Sequence, residues 1–234
     1  MKSWKTAGAL AVLATVSGIA SESSAWAGSV RPAPATELPD DSAILRYDLS
    51  HAVAMGRLTA GGGTTPIEGN VNEEDGALVI ALPGFGFGLV RGSDRTARAN
   101  LRAAIPTDTL PGTYPATLEA TVEFRAHKAL GSSLVVSLNA AFLATPGEPA
   151  KLAWDAGDFL SAAHVQRLTH VVNLDEASTR ARFCGAGAGR GVLTVDLAFG
   201  GERTETSRGE FLVTPALGDD LVVVVKPGAV RYCD

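Results

Sequence analysis

From Thr113 to Arg125 the side chains of this 234-residue chain alternate without a break. Tyr114, Ala116, Leu118, Ala120, Val122 and Phe124 fall on one side; Thr113, Thr117, Glu119, Thr121, Glu123 and Arg125 fall on the other. A strand with one buried and one wet face requires a period of two, whereas a helix of these residues would scatter the apolar groups around its axis. After a short loop the run Leu134, Val136, Leu138, Ala140, Phe142 repeats the pattern, and the pair predicts an antiparallel hairpin. Upstream, Ala97, Ala99, Leu101, Ala103 and Ile105 alternate with Arg98, Asn100 and Arg102. A helix capped by Ser93 competes for this stretch, because Ala97, Leu101 and Ala104 also share a helical face; the neighbouring runs favour the strand.

Further strands are predicted at 44–49, 52–58, 78–82, 85–91, 168–174, 181–184, 192–199, 211–214, 221–226 and 230–232. Only 158–165 reads as a short helix. The expected fold class is therefore all-β, an antiparallel β-sandwich. The turn-rich Ala144-Thr-Pro-Gly-Glu-Pro149 suggests a boundary between a β-sandwich domain at 42–145 and a smaller β domain at 150–234. The competing arrangement is one larger sandwich or barrel that uses both halves.

The first 27 residues speak to location. Lys2 and Lys5 precede an apolar run from Ala7 to Ala20, and Ala25-Trp26-Ala27 forms an A-x-A site, so a secretory signal peptide cut before Gly28 is expected. The run is too short to cross a hydrocarbon core, which takes about 20 residues. Residues 28–41, with three prolines, read as a flexible lead-in. Secretion or periplasmic residence follows from this reading, with no transmembrane anchor in the mature chain.

The net charge of the whole chain is −5, and losing a leader that carries Lys2, Lys5 and Glu22 makes the mature protein one unit more acidic. Nucleic acid and anionic membranes are therefore poor main partners. Arg91, Arg95, Arg98 and Arg102 form a local basic group, read as a solvated face ahead of an anion site. Past the leader Trp154 is the single tryptophan, so the rings on which sugars stack are scarce.

Cys184 and Cys233 are the two cysteines. An even count in an exported chain predicts a disulfide, and closing a loop of about 50 residues is worth roughly 4 kcal/mol by chain-entropy reasoning. A catalytic thiol is disfavoured, because Cys233 is the penultimate residue and suits the tying of a terminus.

Two short resemblances bear on architecture. Leu110-Pro111-Gly112-Thr113-Tyr114 resembles the tyrosine corner of immunoglobulin-like and fibronectin type III-like sandwiches. It implies an immunoglobulin-like first half in which Leu110, Gly112 and Tyr114 form a structural corner, the Tyr114 hydroxyl turning back onto nearby backbone. Tyr47-Asp48-Leu49-Ser50-His51, Val79 to Leu82, Asn100 to Ala103 and Tyr114-Pro115-Ala116-Thr117 fall in an order similar to exported YceI-type lipid-binding barrels. That resemblance implies an elongated barrel around an isoprenoid chain.

No residue pattern nominates a reaction centre. His51, His127, His164 and His170 lack metal-ligand spacing, and bland core-edge or solvated roles are expected. Asn70-x-Asn72-Glu-Glu-Asp-Gly76 has a loose calcium-loop flavour, but lacks the terminal bidentate glutamate; an Asx-rich hairpin turn explains it better. The glycine runs at 61–63, 84–88 and 185–191 are not followed by a helix that would make a phosphate cradle, and read as hairpin connections. There is no G-x-S-x-G elbow. The leading expectation is an exported non-catalytic binding, adhesive or envelope-structural module, without cofactor, whose partner is a protein, glycan or lipid-like ligand. A carrier of an apolar lipid-like ligand and an extracellular hydrolase are the alternatives.

Overall fold

The long alternating runs become strands in the computed structural model, which describes residues 44–60, 62–89, 94–143, 147–185, 189–204 and 209–233. The signal-peptide region and the lead-in lie outside the described residues. The strands are β1 (Leu45–Tyr47), β2 (Val53–Ala60), β3 (Gly63–Glu68), β4 (Asn70–Glu74), β5 (Ala77–Pro83), β6 (Phe87–Leu89), β7 (Thr96–Thr109) and β8 (Thr113–Pro115). They continue with β9 (Thr117–Lys128), β10 (Ser132–Ala141), β11 (Ala150–Trp154) and β12 (Val165–Asn173). The helix α1 (Ala177–Phe183) precedes β13 (Arg190–Arg203), β14 (Phe211–Pro215), β15 (Asp220–Pro227) and β16 (Val230–Tyr232).

Two large antiparallel sheets face each other as a sandwich. The first runs β11-β10-β13-β7-β2-β3, with β1 continuing the lane of β2 along β7. In the second, β12 and β15 flank β9, and β5 and β4 follow β15 outward; β14 and β6 extend the lanes of β15 and β5. Those two lanes break side by side, and the Gly84 N–H donates to the Asp219 carbonyl at 3.1 Å across the break. A small third sheet pairs β8 with β16.

Between the sheets the inward residues meet in one continuous cluster, with Leu78, Ile80, Phe87, Phe124, Leu138 and Val223 all fully buried. Each large side chain so buried is worth about 1.5–3 kcal/mol. The alanines of β7 (Ala97, Ala99, Ala103) leave room for bulk from opposite. Phe87 packs against Phe199 and Phe211, both at 5.5 Å between ring centroids, and Phe199 against Phe85 at 5.1 Å. Gly201 completes this fit, because a Cβ there would stand 2.1 Å from the Phe211 ring. At the other end Tyr114 stacks on Phe183 of α1 at 5.2 Å, and Phe183 touches Phe142 at 5.8 Å.

Four expectations are corrected. β9 and β10 do not pair as a hairpin: β9 lies in the second sheet and β10 in the first, so the intervening turn carries the chain across the core. Alternation says that each strand buries one face, and both do so against each other rather than edge to edge. The boundary at 144–149 does not divide the strands into two domains, for β13 lies between β7 and β10, and β15 between β5 and β9. Residues 42–145 therefore do not close an immunoglobulin-like sandwich alone; ladder bonds from the second half occupy central lanes. The helix falls at 177–183, not at 158–165, and takes the place of a strand expected at 181–184. Its seven residues bury only Thr179 and Phe183, an i, i+4 pair too brief to read as a period. Around 158–165 the chain makes turns and a single bridge between Leu160 and Lys128. Finally, the segments that resemble a lipid-binding barrel are spread over both large sheets, the small third sheet and a helical turn, and form no barrel wall. The strands β3, β4 and β11 were not expected; β3 and β4 are mostly exposed, so no run of buried bulk marks them.

Candidate functional site

The end of the sandwich that carries α1 is built from residues singled out in sequence. Leu110, Pro111, Gly112 and Thr113 make a tight turn: Pro111 precedes Gly112, whose φ is +76°, and the Thr113 N–H donates to the Leu110 carbonyl at 3.1 Å. Only glycine takes that backbone angle cheaply at this position of a turn. The turn delivers Tyr114 into the core, 1 % exposed. Its hydroxyl donates not to nearby backbone, as the tyrosine-corner resemblance predicts, but to Asp175 Oδ1 at 2.9 Å, 61 residues away. The reason is placement: just past β12 the Leu174 N–H donates to the Ala116 carbonyl just past β8, which brings the Asp175 carboxylate to the hydroxyl. Burial, that hydrogen bond and the Asp175 charge hold the phenol above its usual pKa, while Arg180 and Arg231 pull it down. Asp175 Oδ2 also approaches Arg231 Nε of β16 at 3.7 Å. Cys184, at the end of α1, is bonded to Cys233, whose N–H donates to the Gly112 carbonyl at 2.8 Å. Helix, turn and C-terminal strand thus close one end of the core as a single cross-linked unit.

The four histidines do not converge. His170 is buried on β12, and its Nδ1 accepts the Ala140 N–H at 3.0 Å. β11 pairs with β10 only as far as Leu138, so the imidazole replaces the missing strand at that backbone donor. His127 Nε2 lies 3.5 Å from Glu210 Oε1, with Phe159 edge-on to its ring at 6.0 Å. His164 sits exposed in the turn before β12. Among the described residues no three metal-binding side chains gather.

A grouping that sequence reading missed is Asp48, Ser50 and His51, in a single helical turn before β2. His51 Nδ1 stands 2.7 Å from Asp48 Oδ2 and 3.1 Å from Ser50 Oγ, and Ser50 Oγ donates to Asp48 Oδ1 at 2.5 Å. Hydrogen bonds from Ser50 and His51 hold the Asp48 carboxyl below the usual range. The same three residue types serve hydrolases, yet here one ring nitrogen meets both partners. A relay needs the carboxylate on one nitrogen and the hydroxyl on the other, so that a proton can pass through the ring. The His51 side chain is also 74 % exposed.

Lys128 is the other unforeseen group. It continues the inward register of β9 after Phe124 and Ala126, so parity alone marks it as buried, and it is 0 % exposed. Its amine donates to the Asp158 and Ala129 carbonyls. Burial pulls the amine below the usual lysine range, and the charges of Asp158 and Asp155 oppose that shift. The arrangement fastens the 155–164 loop over the end of the sandwich.

The acidic run Asn70–Gly76 is β4 and a two-residue hairpin turn, with Asp75 and Gly76 both at positive φ. That turn type matches the right-handed twist of the paired strands. Gly84, φ +62°, turns the chain where its lane breaks. Parts of the other glycine runs, Gly61 and 186–188, lie outside the described residues. So does Arg91 of the basic group. Arg98 and Arg102 stand on the outer face of β7, and Arg102 Nε lies 3.5 Å from Asp196 Oδ1.

Both outer faces carry open troughs. On the second sheet Thr121, Val222 and Val224 floor one of about 360 Å³, bordered by Glu119, Glu123, Asp220, Arg167 and Lys226. Leu217, 80 % exposed, stands at its rim. Arg125 secures that rim by donating to the carbonyls of Ala216, Ala162 and Ala163. On the first sheet a trough of about 490 Å³ lies among Arg57, Thr59, Arg98, Asn100, Ser137 and Gly200.

No protein-family profile and no curated protein matches the chain. Among solved structures, those of infectious bursal disease virus strains Gx and Gt align over 76 % and 79 % of the chain, at 9 % and 10 % identity. The TM-scores are 0.27 and 0.26, too low to carry an argument, and the alignments span 57 % and 60 % of the viral chains.

Proposed function

We propose that this protein is an exported, non-catalytic β-sandwich that works as a binding, adhesive or envelope-structural module. The observation that carries the reading is the filled interior: the inner faces of both sheets meet in one cluster of buried side chains. A carrier of an apolar chain needs that space for its ligand, and a partner of this protein is left the outer faces, edges and end loops. The serine–histidine–aspartate grouping, exposed and with both partners on one nitrogen, does not supply a relay. The leader pattern at 1–27 and the Cys184–Cys233 bond favour an oxidising compartment outside the cytoplasm.

Intact mass of the protein recovered from culture medium or periplasm is the direct test of export. A chain beginning at Gly28 and lighter by two hydrogens is expected; a full-length chain confined to the cytoplasm refutes it. For the role, mass spectrometry of what co-purifies should find a stoichiometric partner. A bound lipid in the core, or turnover of a substrate by the purified chain, would overturn the reading.

A further inference from the structure

The register of the first sheet brings together outward residues that are far apart in sequence. One row across the strands reads Thr59, Arg98, Gly200, Val135, Ala153, and the next reads Arg57, Asn100, Ala198, Ser137, Lys151. These rows hold three cations and no carboxylate. Arg57, Arg98 and Lys151 are all exposed. None of them forms an ion pair among the described residues, whereas Arg102, one row on, is held by Asp196. The floor beneath is low: a Cβ on Gly200 would meet nothing within 4 Å, and Ala198 and Ala153 add only methyls. With lanes about 4.8 Å apart, the four spacings from β2 to β11 separate Arg57 from Lys151 by roughly 19 Å.

The background makes this strip distinctive. The chain carries a net charge of −5, and the trough on the second sheet mixes Glu119, Glu123 and Asp220 with Arg167 and Lys226. We propose that the middle of the outer face of the first sheet is a binding strip for an anionic polysaccharide of the uronic-acid type. The inference deepens the binding-module reading above, and rests on it. Charge complementarity selects an anion, and the form of the strip selects the polymer. β7, β13 and β10 are paired along both edges there, so an extended peptide finds no free ladder to join. Short hydroxyl and amide groups (Thr59, Asn100, Ser137) interleave with the cations, and match the hydroxyls between the carboxylates of a uronate chain. Single-stranded nucleic acid is held by stacking its bases on aromatic side chains, and these rows carry none.

The test is affinity electrophoresis of the purified full chain in gels containing polygalacturonate, with neutral dextran and poly-glutamate as controls. Polygalacturonate should retard the wild type, dextran should not, and added salt should release it. Arg57→Glu with Arg98→Glu should weaken retention at least tenfold, while Arg167→Glu on the opposite sheet should leave it unchanged. Arg57→Gln with Lys151→Gln adds no carboxylates, and should weaken retention with an unaltered melting curve. Absence of wild-type retardation, or retention indifferent to these changes, overturns the strip. Equal retardation by poly-glutamate overturns the polysaccharide assignment and leaves the binding-module reading standing. New reducing ends released from polygalacturonate would instead overturn the non-catalytic reading, and support the strip if the arginine variant loses retention.

Discussion

Replacing Gly201 by alanine tests the core where the two sheets interlock most tightly. The added Cβ would stand 2.1, 2.4 and 2.6 Å from three atoms of the Phe211 ring. Carbon atoms rest at about 3.5–4.0 Å, so the ring must withdraw by roughly 1.4 Å. It has little room: Phe211 is fully buried, and Phe87 lies against it at 5.5 Å, itself backed by Phe199. Overfilling a well-packed core costs about 1–3 kcal/mol, and the enclosure places this case near 3. Phe211→Leu alone should cost roughly 1–2 kcal/mol through lost burial and a small cavity. Together the two should cost less than their sum by at least about 1 kcal/mol, because the methyl enters space the ring has left. Urea unfolding followed by circular dichroism, with the disulfide intact, measures all three. An unchanged midpoint for Gly201→Ala, or costs that add within about 0.5 kcal/mol, would refute the interlock.

Cys184→Ser with Cys233→Ser should lower stability by about 2–4 kcal/mol, and reductant should reproduce the loss in the wild type. Tyr114→Phe should cost about 1–2 kcal/mol and Asp175→Asn less, since one removes the donor and the other keeps an acceptor; an unchanged melting point for Tyr114→Phe contradicts the contact. For Lys128 the sign follows from its lowered pKa: the folded state releases the proton before the unfolded chain does, so stability gains as pH rises toward about 10.5. Wild type should therefore improve relative to Lys128→Met over that alkaline window, and a difference independent of pH would show that the amine is not desolvated.

Local pattern carried far. The parity of Tyr114 to Phe124 foretold the buried face of β9, and the same parity extended to Lys128 marks a residue whose burial was overlooked. The strand at 97–105 won over a capped helix, and Leu110-Pro-Gly-Thr made the turn that its residues prescribe. The Asp48–Ser50–His51 contact was legible in principle, since residues two and three apart meet in a single helical turn. Asp175 as the acceptor for the Tyr114 hydroxyl was not, because a partner 61 positions away leaves no local trace.

Sequence alone settled that the chain makes strands with one apolar wall, and that its two cysteines had a partner in each other, because side-chain alternation is a property of the pleat and the thiols offered a single pairing. Which strands are neighbours was decided only in three dimensions. Ladder bonds set β13 beside both β7 and β10, crossed the chain between β9 and β10, and aligned Arg57, Arg98 and Lys151 on one face. Each extended segment offers the same row of donors and acceptors. The choice among them rests on how Gly201, the alanines of β7 and the phenylalanines opposite fill a shared volume, and that information is distributed over the whole chain.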